Sequence, residues 1–208
     1  MEASYQTVST ASETEYVINR SRFIGRCFPV TDEAEALAIL ERIRKQNWDA
    51  THNCFAYRLR SGAARYSDDG EPQGTAGLPM MEVLKKRDMY DLLVISTRYF
   101  GGILLGAGGL VRAYTRSASD AVDAAGLVSM EPCTLFAVPV AYPYRNAAWS
   151  VFERFGVIEK TAYGAAIDVT FRCRAADADA FLEALSERTE GRIGAARTGE
   201  GMYPFPSE

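Results

Sequence analysis

The stretch RYFGGILLGAGGLVRAY, residues Arg98–Tyr114, sets five glycines between an apolar run and a helical pattern. Upstream, LLVISTRY (Leu92–Tyr99) is a continuous apolar and β-branched run of the kind that forms a buried strand. Downstream, Leu110, Ala113, Tyr114, Ser117, Ala118, Ala121 and Ala125 fall on one face of a helix closed by Gly126. Arg112, Arg116, Ser119 and Asp123 fall on the other. The order is strand, glycine-rich turn, helix, and two well-known phosphate-binding registers can be tested against it. Counting from Gly106, a dinucleotide fingerprint needs a third glycine where Val111 stands, and a P-loop needs Lys where Leu110 follows Gly108-Gly109. Both fail. A more general property survives: the unpaired N–H groups of a glycine-rich helix start suit an anion. The first turns hold Arg112 and no acid, although the helix dipole favours an acid there by about 0.3–1 kcal/mol. Alternatively, the glycines only let strand and helix pack closely while Arg112 points to water. Arg98, Tyr99 and Phe100 before the turn, with Arg112 and Arg116 after it, combine the residue types that stack on bases and contact phosphates. A core-packed Phe100 with solvated arginines is the competing reading.

Working outward, Tyr16–Ile18 and Arg22–Val30 read as short strands, with Pro29 marking an end or an edge. Thr31 and Asp32 are N-cap candidates, Glu35 stands in the capping-box relation to Asp32, and Leu37, Leu40 and Ile43 carry a helical period to about Gln46. HNCFAYRLR (His52–Arg60) reads as a strand ending at Ser61-Gly62. Tyr66–Met80, with three glycines and two prolines, is expected to be an extended ordered loop feeding a helix over Met80–Arg87. From Cys133 the pattern restarts: strand, helix over Tyr144–Phe155, strands at Val157–Ala162 and Ile167–Cys173, helix over Ala176–Arg188, and a short last strand at Arg192–Arg197. That β-α-β-β-α-β order predicts a ferredoxin-like half, with its boundary near Met130–Pro132. The expected division is 1–130 and 131–208, within an α+β fold.

Bulk properties narrow the function classes. With 208 residues, 48% hydrophobic and 24% charged, the chain has the composition of a globular protein of two domains, and no apolar run is long enough for a membrane span. No signal peptide is visible in the first twenty residues, so a cytoplasmic home is expected. The net charge is −4, and neither half is basic: 15 basic against 16 acidic residues up to residue 130, then 8 against 11. A nucleic-acid role must therefore rest on a local patch. Cys27, Cys54, Cys133 and Cys173 form no C-x-x-C pair and His52 is the only histidine, so no zinc or redox site follows from spacing. No cofactor is expected. The acids Asp68, Asp69 and Glu71 invite a magnesium site but fail the EF-hand register at Gly70 and Pro79; they fit turn or helix caps better. A nucleophilic device would have to use His52 with Cys54, and His52 is better read as structural.

Three runs together carry a family resemblance: DATHNC (Asp49–Cys54), SDDGEPQGTAGLPM (Ser67–Met80) and the opening stretch, in order and spanning most of residues 16–127. They resemble the IMPACT/YigZ family. The resemblance implies a first domain like the second domain of small-subunit ribosomal protein five and domain IV of elongation factor G. It implies a ferredoxin-like second domain like domain V of that factor. Some members carry Lys where this chain has Leu104. Eukaryotic members regulate translation by binding a large activator protein and restraining a stress-responsive kinase, through an additional domain that this chain is not expected to share. For bacterial members a nucleic-acid or ribosome-related role is the usual implication.

The expected function is thus a non-enzymatic cytoplasmic protein binding RNA or the ribosome. Its ligand-facing residues would be Thr75, Gly77, Arg98, Tyr99, Arg112, Arg116 and the Gly101-Gly102 and Gly108-Gly109 turns. Two alternatives stand beside it. One is a nucleotide or phosphate-ester enzyme using the glycine turn, with magnesium on Asp68, Asp69 and Glu71; the other is a protein–protein adaptor.

Overall fold

The computed structural model describes residues 3–206 of the chain. It divides into two compact units, one of Tyr5–Ser129 and one of Met130–Pro204.

The first unit contains an antiparallel sheet of β2 (Ser12–Ile18), β3 (Ser21–Pro29), β4 (His52–Arg58), β5 (Ala64–Ser67) and β6 (Leu92–Tyr99), in the order β2-β3-β6-β4-β5. A short strand β1 (Tyr5–Val8) precedes them. Three helices cover the sheet: α1 (Glu33–Gln46), α2 (Gly77–Lys86) and α3 (Gly106–Ala124). Cys54, Ala56, Leu92 and Val94 pack with Met80, Leu84, Tyr114 and Ala118 of α2 and α3, while Phe55, Tyr57, Leu93 and Ile95 pack with Ala36, Leu40 and Ile43 of α1. Both faces of β4 and β6 are thus buried, which is why their sequences are continuous apolar runs rather than alternating ones.

Several local features follow from sequence chemistry. Asp32 caps α1, accepting from the Glu35 N–H at 2.8 Å, while the Glu35 carboxylate reaches back to the Thr31 N–H at 3.0 Å. Asn19 and Arg20, at φ of 46° and 62°, form the two-residue turn between β2 and β3, the left-handed geometry that hairpin twist favours. Other boundaries differ from expectation. α2 starts at Gly77 rather than Met80, because Pro79 sits in the first turn where its missing N–H costs nothing. With Tyr66 and Ser67 in β5, the irregular segment shrinks to 68–76. Gly108 and Gly109, expected as a turn, lie in the first turn of α3.

The second unit is built on β7 (Leu127–Val140), α4 (Arg145–Phe155), β8 (Gly156–Tyr163), β9 (Ile167–Arg174), α5 (Ala178–Arg188) and β10 (Ala196–Pro206). Strand β9 lies antiparallel between β7 and β8, and both β1 and β10 also pair with β7. Alternate residues of β7 and β9, among them Phe136, Val138, Val169 and Phe171, meet Phe152 of α4 and Phe181 of α5 in one core. The rings of Phe171 and Phe181 stack with centroids 4.5 Å apart. β7 starts directly after Gly126 and runs as one strand through Met130–Pro132, the expected boundary region. The last strand begins at Ala196 and is longer than the short Arg192–Arg197 segment expected.

Candidate functional site

The loop of residues 68–76 is organised by its acids. Asp68 Oδ1 accepts from the N–H groups of Ala76 (3.0 Å) and Gly77 (2.8 Å), and its Oδ2 accepts from Gly74 (2.8 Å). This carboxylate caps α2, whose own N-cap residue, Ala76, has no acceptor. Asp69 accepts from the Asn53 N–H at 2.7 Å and pairs with Arg44 at 2.8 Å. Glu71 turns inward: its Oε1 accepts from Arg98 Nη1 at 2.6 Å and from the Tyr114 hydroxyl at 2.7 Å. The three acids therefore diverge onto separate partners, and among the described residues no group of three or more His, Cys, Asp or Glu is placed to hold a metal ion. Thr75 and Gly77 are likewise internal. Thr75 donates to the Pro72 carbonyl at 2.6 Å, and a Cβ on Gly77 would lie 2.7 Å from the Ser67 backbone. Neither is open to a ligand, contrary to expectation.

Arg98 also departs from its expected place. It is 5% exposed, paired with Glu71, within 3.3 Å of Ser21 Oγ, and its guanidinium carbon lies 5.5 and 5.4 Å from the ring centroids of Phe23 and Phe100. Its Nε has no hydrogen-bond partner among the described residues. The cause is strand period: Arg98 shares the parity of Leu92, Val94 and Ser96, the face of β6 turned toward α2 and α3. Tyr99, of opposite parity, donates its hydroxyl toward Asp49 (3.2 Å) and Asn47 (3.3 Å).

The glycine segment has separable roles. A Cβ on Gly101 would stand 2.0 Å from the Arg20 carbonyl carbon, so this glycine lets the segment lie against the β2–β3 hairpin turn. Gly102 and Gly106 take φ of 82° and 69°. A Cβ on Gly109 would come within 3.0 Å of the Leu105 Cβ, whereas one on Gly108 would meet only Arg112 Nη1, at 3.6 Å. The helix start has no side-chain cap at Leu105. Arg112 is exposed and, like the exposed Arg20, has no ion-pair partner among the described residues. Arg116 is paired with Asp120 at 3.2 Å and lies over the Tyr16 ring. Phe100, Ile103 and Leu104 project outward, Leu104 with 84% of its surface exposed.

Beneath that segment is a pocket of about 340 Å³, lined by Thr51, His52, Glu71, Arg98, Phe100 and Leu104, with Leu105, Gly106 and Leu110 at the helix side. His52 Nδ1 is 2.8 Å from the Asp69 carbonyl, which can only accept, so Nδ1 carries a proton. His52 Nε2 faces Glu71 Oε2 at 3.8 Å. His52 and Glu71 are 19 positions apart in the chain, and only the folded loop joins them. Their lone signal in the sequence was a polar residue opening a strand and an acid inside a glycine-rich loop. Cys54 offers no nucleophile: its thiol donates to the Asp68 carbonyl, and burial pushes its pKa up to about 12, as it does for Cys27. Burial first, then Cys54 and Glu71, push the Tyr114 phenol well above its ordinary range.

Residues 19–122 match the Impact N-terminal domain and residues 150–192 match a domain of unknown function, DUF1949. The chain is 39% identical over 192 residues to the IMPACT family member YvyE of Bacillus subtilis, covering 91% of this chain and 88% of that protein. It is 31% identical over 199 residues to an IMPACT family member of Haemophilus influenzae, covering 92% and 95%. A solved structure titled as that of a hypothetical protein aligns over 96% of this chain and 99% of its own, with 27% identity and a TM-score of 0.60.

Proposed function

The chain belongs to the IMPACT family, and from that premise we propose that it is a non-enzymatic, cytoplasmic binding protein acting on the translation machinery. Single-stranded RNA, free or on the ribosome, is its ligand. The observation that carries this reading is the pair of exposed arginines, Arg20 and Arg112, bordering one glycine segment from which Phe100 projects. Two unpaired cations beside an aromatic ring supply phosphate contact and base stacking together. In this reading Arg98 and Glu71 support the segment from beneath rather than touching the phosphates. The family resemblance supports the same reading, since it implies folds shared with a ribosomal protein and a translation factor. On this view residues 1–130 form the ribosomal-protein-like domain. Residues 131–208 form a ferredoxin-like domain, in keeping with β10 pairing β7 and the run β7-β9-β8.

The test is binding of ribosomes and of single-stranded RNA by the full chain across a salt series. Affinity is expected to fall steeply with salt and to drop further in the Arg20→Gly, Arg112→Ala double variant. Absence of binding at low salt sinks the reading. A second reading, a protein–protein adaptor, is favoured by the outward Ile103 and Leu104. It is tested by whether Ile103→Asp removes one stoichiometric partner from a pull-down while leaving RNA binding in place.

A further inference from the structure

We propose that the pocket beneath the glycine segment takes one unstacked nucleobase bearing an exocyclic amino group, with His52 and Glu71 accepting from that group. The inference rests on the RNA-binding reading above and names which part of the RNA enters the fold. The pocket's volume of about 340 Å³ accommodates one base, and Phe100, Leu104 and Leu110 give it an apolar wall with an aromatic ring for stacking. Its floor is polar in one specific sense. The Glu71 side chain is 3% exposed, its Oε1 is occupied by Arg98 and Tyr114, and its Oε2 takes no hydrogen bond among the described residues. Oε2 instead faces His52 Nε2 at 3.8 Å. Because Nδ1 donates to the Asp69 carbonyl, the tautomer with its proton on Nδ1 presents Nε2 as a second acceptor. Two adjacent acceptors that face an apolar pocket suit a ligand that brings N–H groups, and Arg98 Nε, the unpaired donor in the same lining, leaves room for one acceptor of that ligand beside them.

The amino groups of adenine, cytosine and guanine bring two each, whereas uracil turns a carbonyl oxygen to the same place. The remaining parts of a nucleotide also find partners. The uncapped backbone N–H groups at Gly106 and Ala107 line the helix side of the pocket, and Arg112 stands about one and a half turns further along α3. That arrangement suits the phosphate attached to a base held below.

The experiment measures fluorescence anisotropy of labelled short oligo(A), oligo(C) and oligo(U) with the full chain at low salt. Oligo(A) and oligo(C) are expected to bind at least about tenfold more tightly than oligo(U), because uracil offers no amino group to the two acceptors. His52→Leu should bring the first two to the level of oligo(U), with oligo(U) unchanged. Equal affinities in the unmodified protein overturn the pocket assignment and leave the RNA reading standing. Failure to bind any of the three overturns both. A preference that persists in a folded His52→Leu variant also overturns the assignment. If that variant does not fold, competition on the unmodified protein decides: adenosine monophosphate should displace oligo(A) and uridine monophosphate should not. Equal displacement by the two counts as refutation.

Discussion

Arg98 Nη1 donates to Glu71 Oε1 at 2.6 Å in the interior of the first unit, where the two side chains are 6% and 3% exposed. The pair ties the loop of residues 68–76 to the central strand, and Tyr114 of α3 adds a second donor to the same oxygen. Arg98→Ala leaves the Glu71 carboxylate buried without its cation and is expected to cost about 3–5 kcal/mol in chemical denaturation. Arg98→Met combined with Glu71→Leu should recover most of that loss, because neither charge is then stranded. Equal destabilisation by the single and double variants would contradict the account.

Asp68 is the acceptor for three backbone N–H groups at the start of α2. Asp68→Ala strips all three and should cost about 2–4 kcal/mol, more than the loss of a single N-cap bond. Asp68→Asn, which keeps one acceptor oxygen, should fall between. Denaturation midpoints of the two variants give the ordering.

The glycines of the opening stretch should separate by substitution. Gly101→Ala places a Cβ 2.0 Å from the Arg20 carbonyl carbon and is expected to destabilise by about 1–3 kcal/mol. Gly108→Ala meets only the far end of Arg112, inside a helix, and should stabilise by about 0.5–1 kcal/mol. A stabilised Gly108→Ala that binds RNA less tightly would mark Gly108 as a position kept for its ligand rather than for the fold.

Arg20 stands at φ 62°, a strained setting for a side chain with a Cβ. Arg20→Gly should therefore hold or raise stability by up to about 1 kcal/mol while weakening RNA binding, and Arg112→Ala should change stability by less than about 0.5 kcal/mol. Each is expected to lower the slope of log affinity against log salt by about 1. Thermal unfolding and a salt titration on the same preparations check both halves.

The thiols of Cys27 and Cys54 are pushed up to about 12 by burial. The folded pKa lies above the unfolded one, so the stability these groups confer is whole while the unfolded thiols stay protonated. It declines as pH rises toward 12, since the unfolded chain releases its protons first. Urea midpoints should fall over that alkaline range, and iodoacetamide should label the native protein far more slowly than the denatured one at neutral pH. Rapid native labelling at Cys54 would contradict its burial.

The sequence alone determined the elements with strong local signatures. The Asp32 cap and apolar period of α1, the run Leu92–Tyr99 and the buried face of α3 all rest on contacts within a few residues of one another. Three matched runs also carried the family, because long motifs are legible without a fold. Tertiary structure decided the rest. Arg98 looked like a surface cation beside a glycine turn, and its burial depended on which face of β6 would be covered and on Glu71 arriving from another segment. His52, the only histidine, reads as structural and does bond to the Asp69 carbonyl, but its approach to Glu71, 19 positions away, follows from no local period linking a strand residue to a loop acid. Local spacing encodes backbone geometry over a few residues, whereas a buried charge pair or a pocket is fixed only when distant segments close on each other.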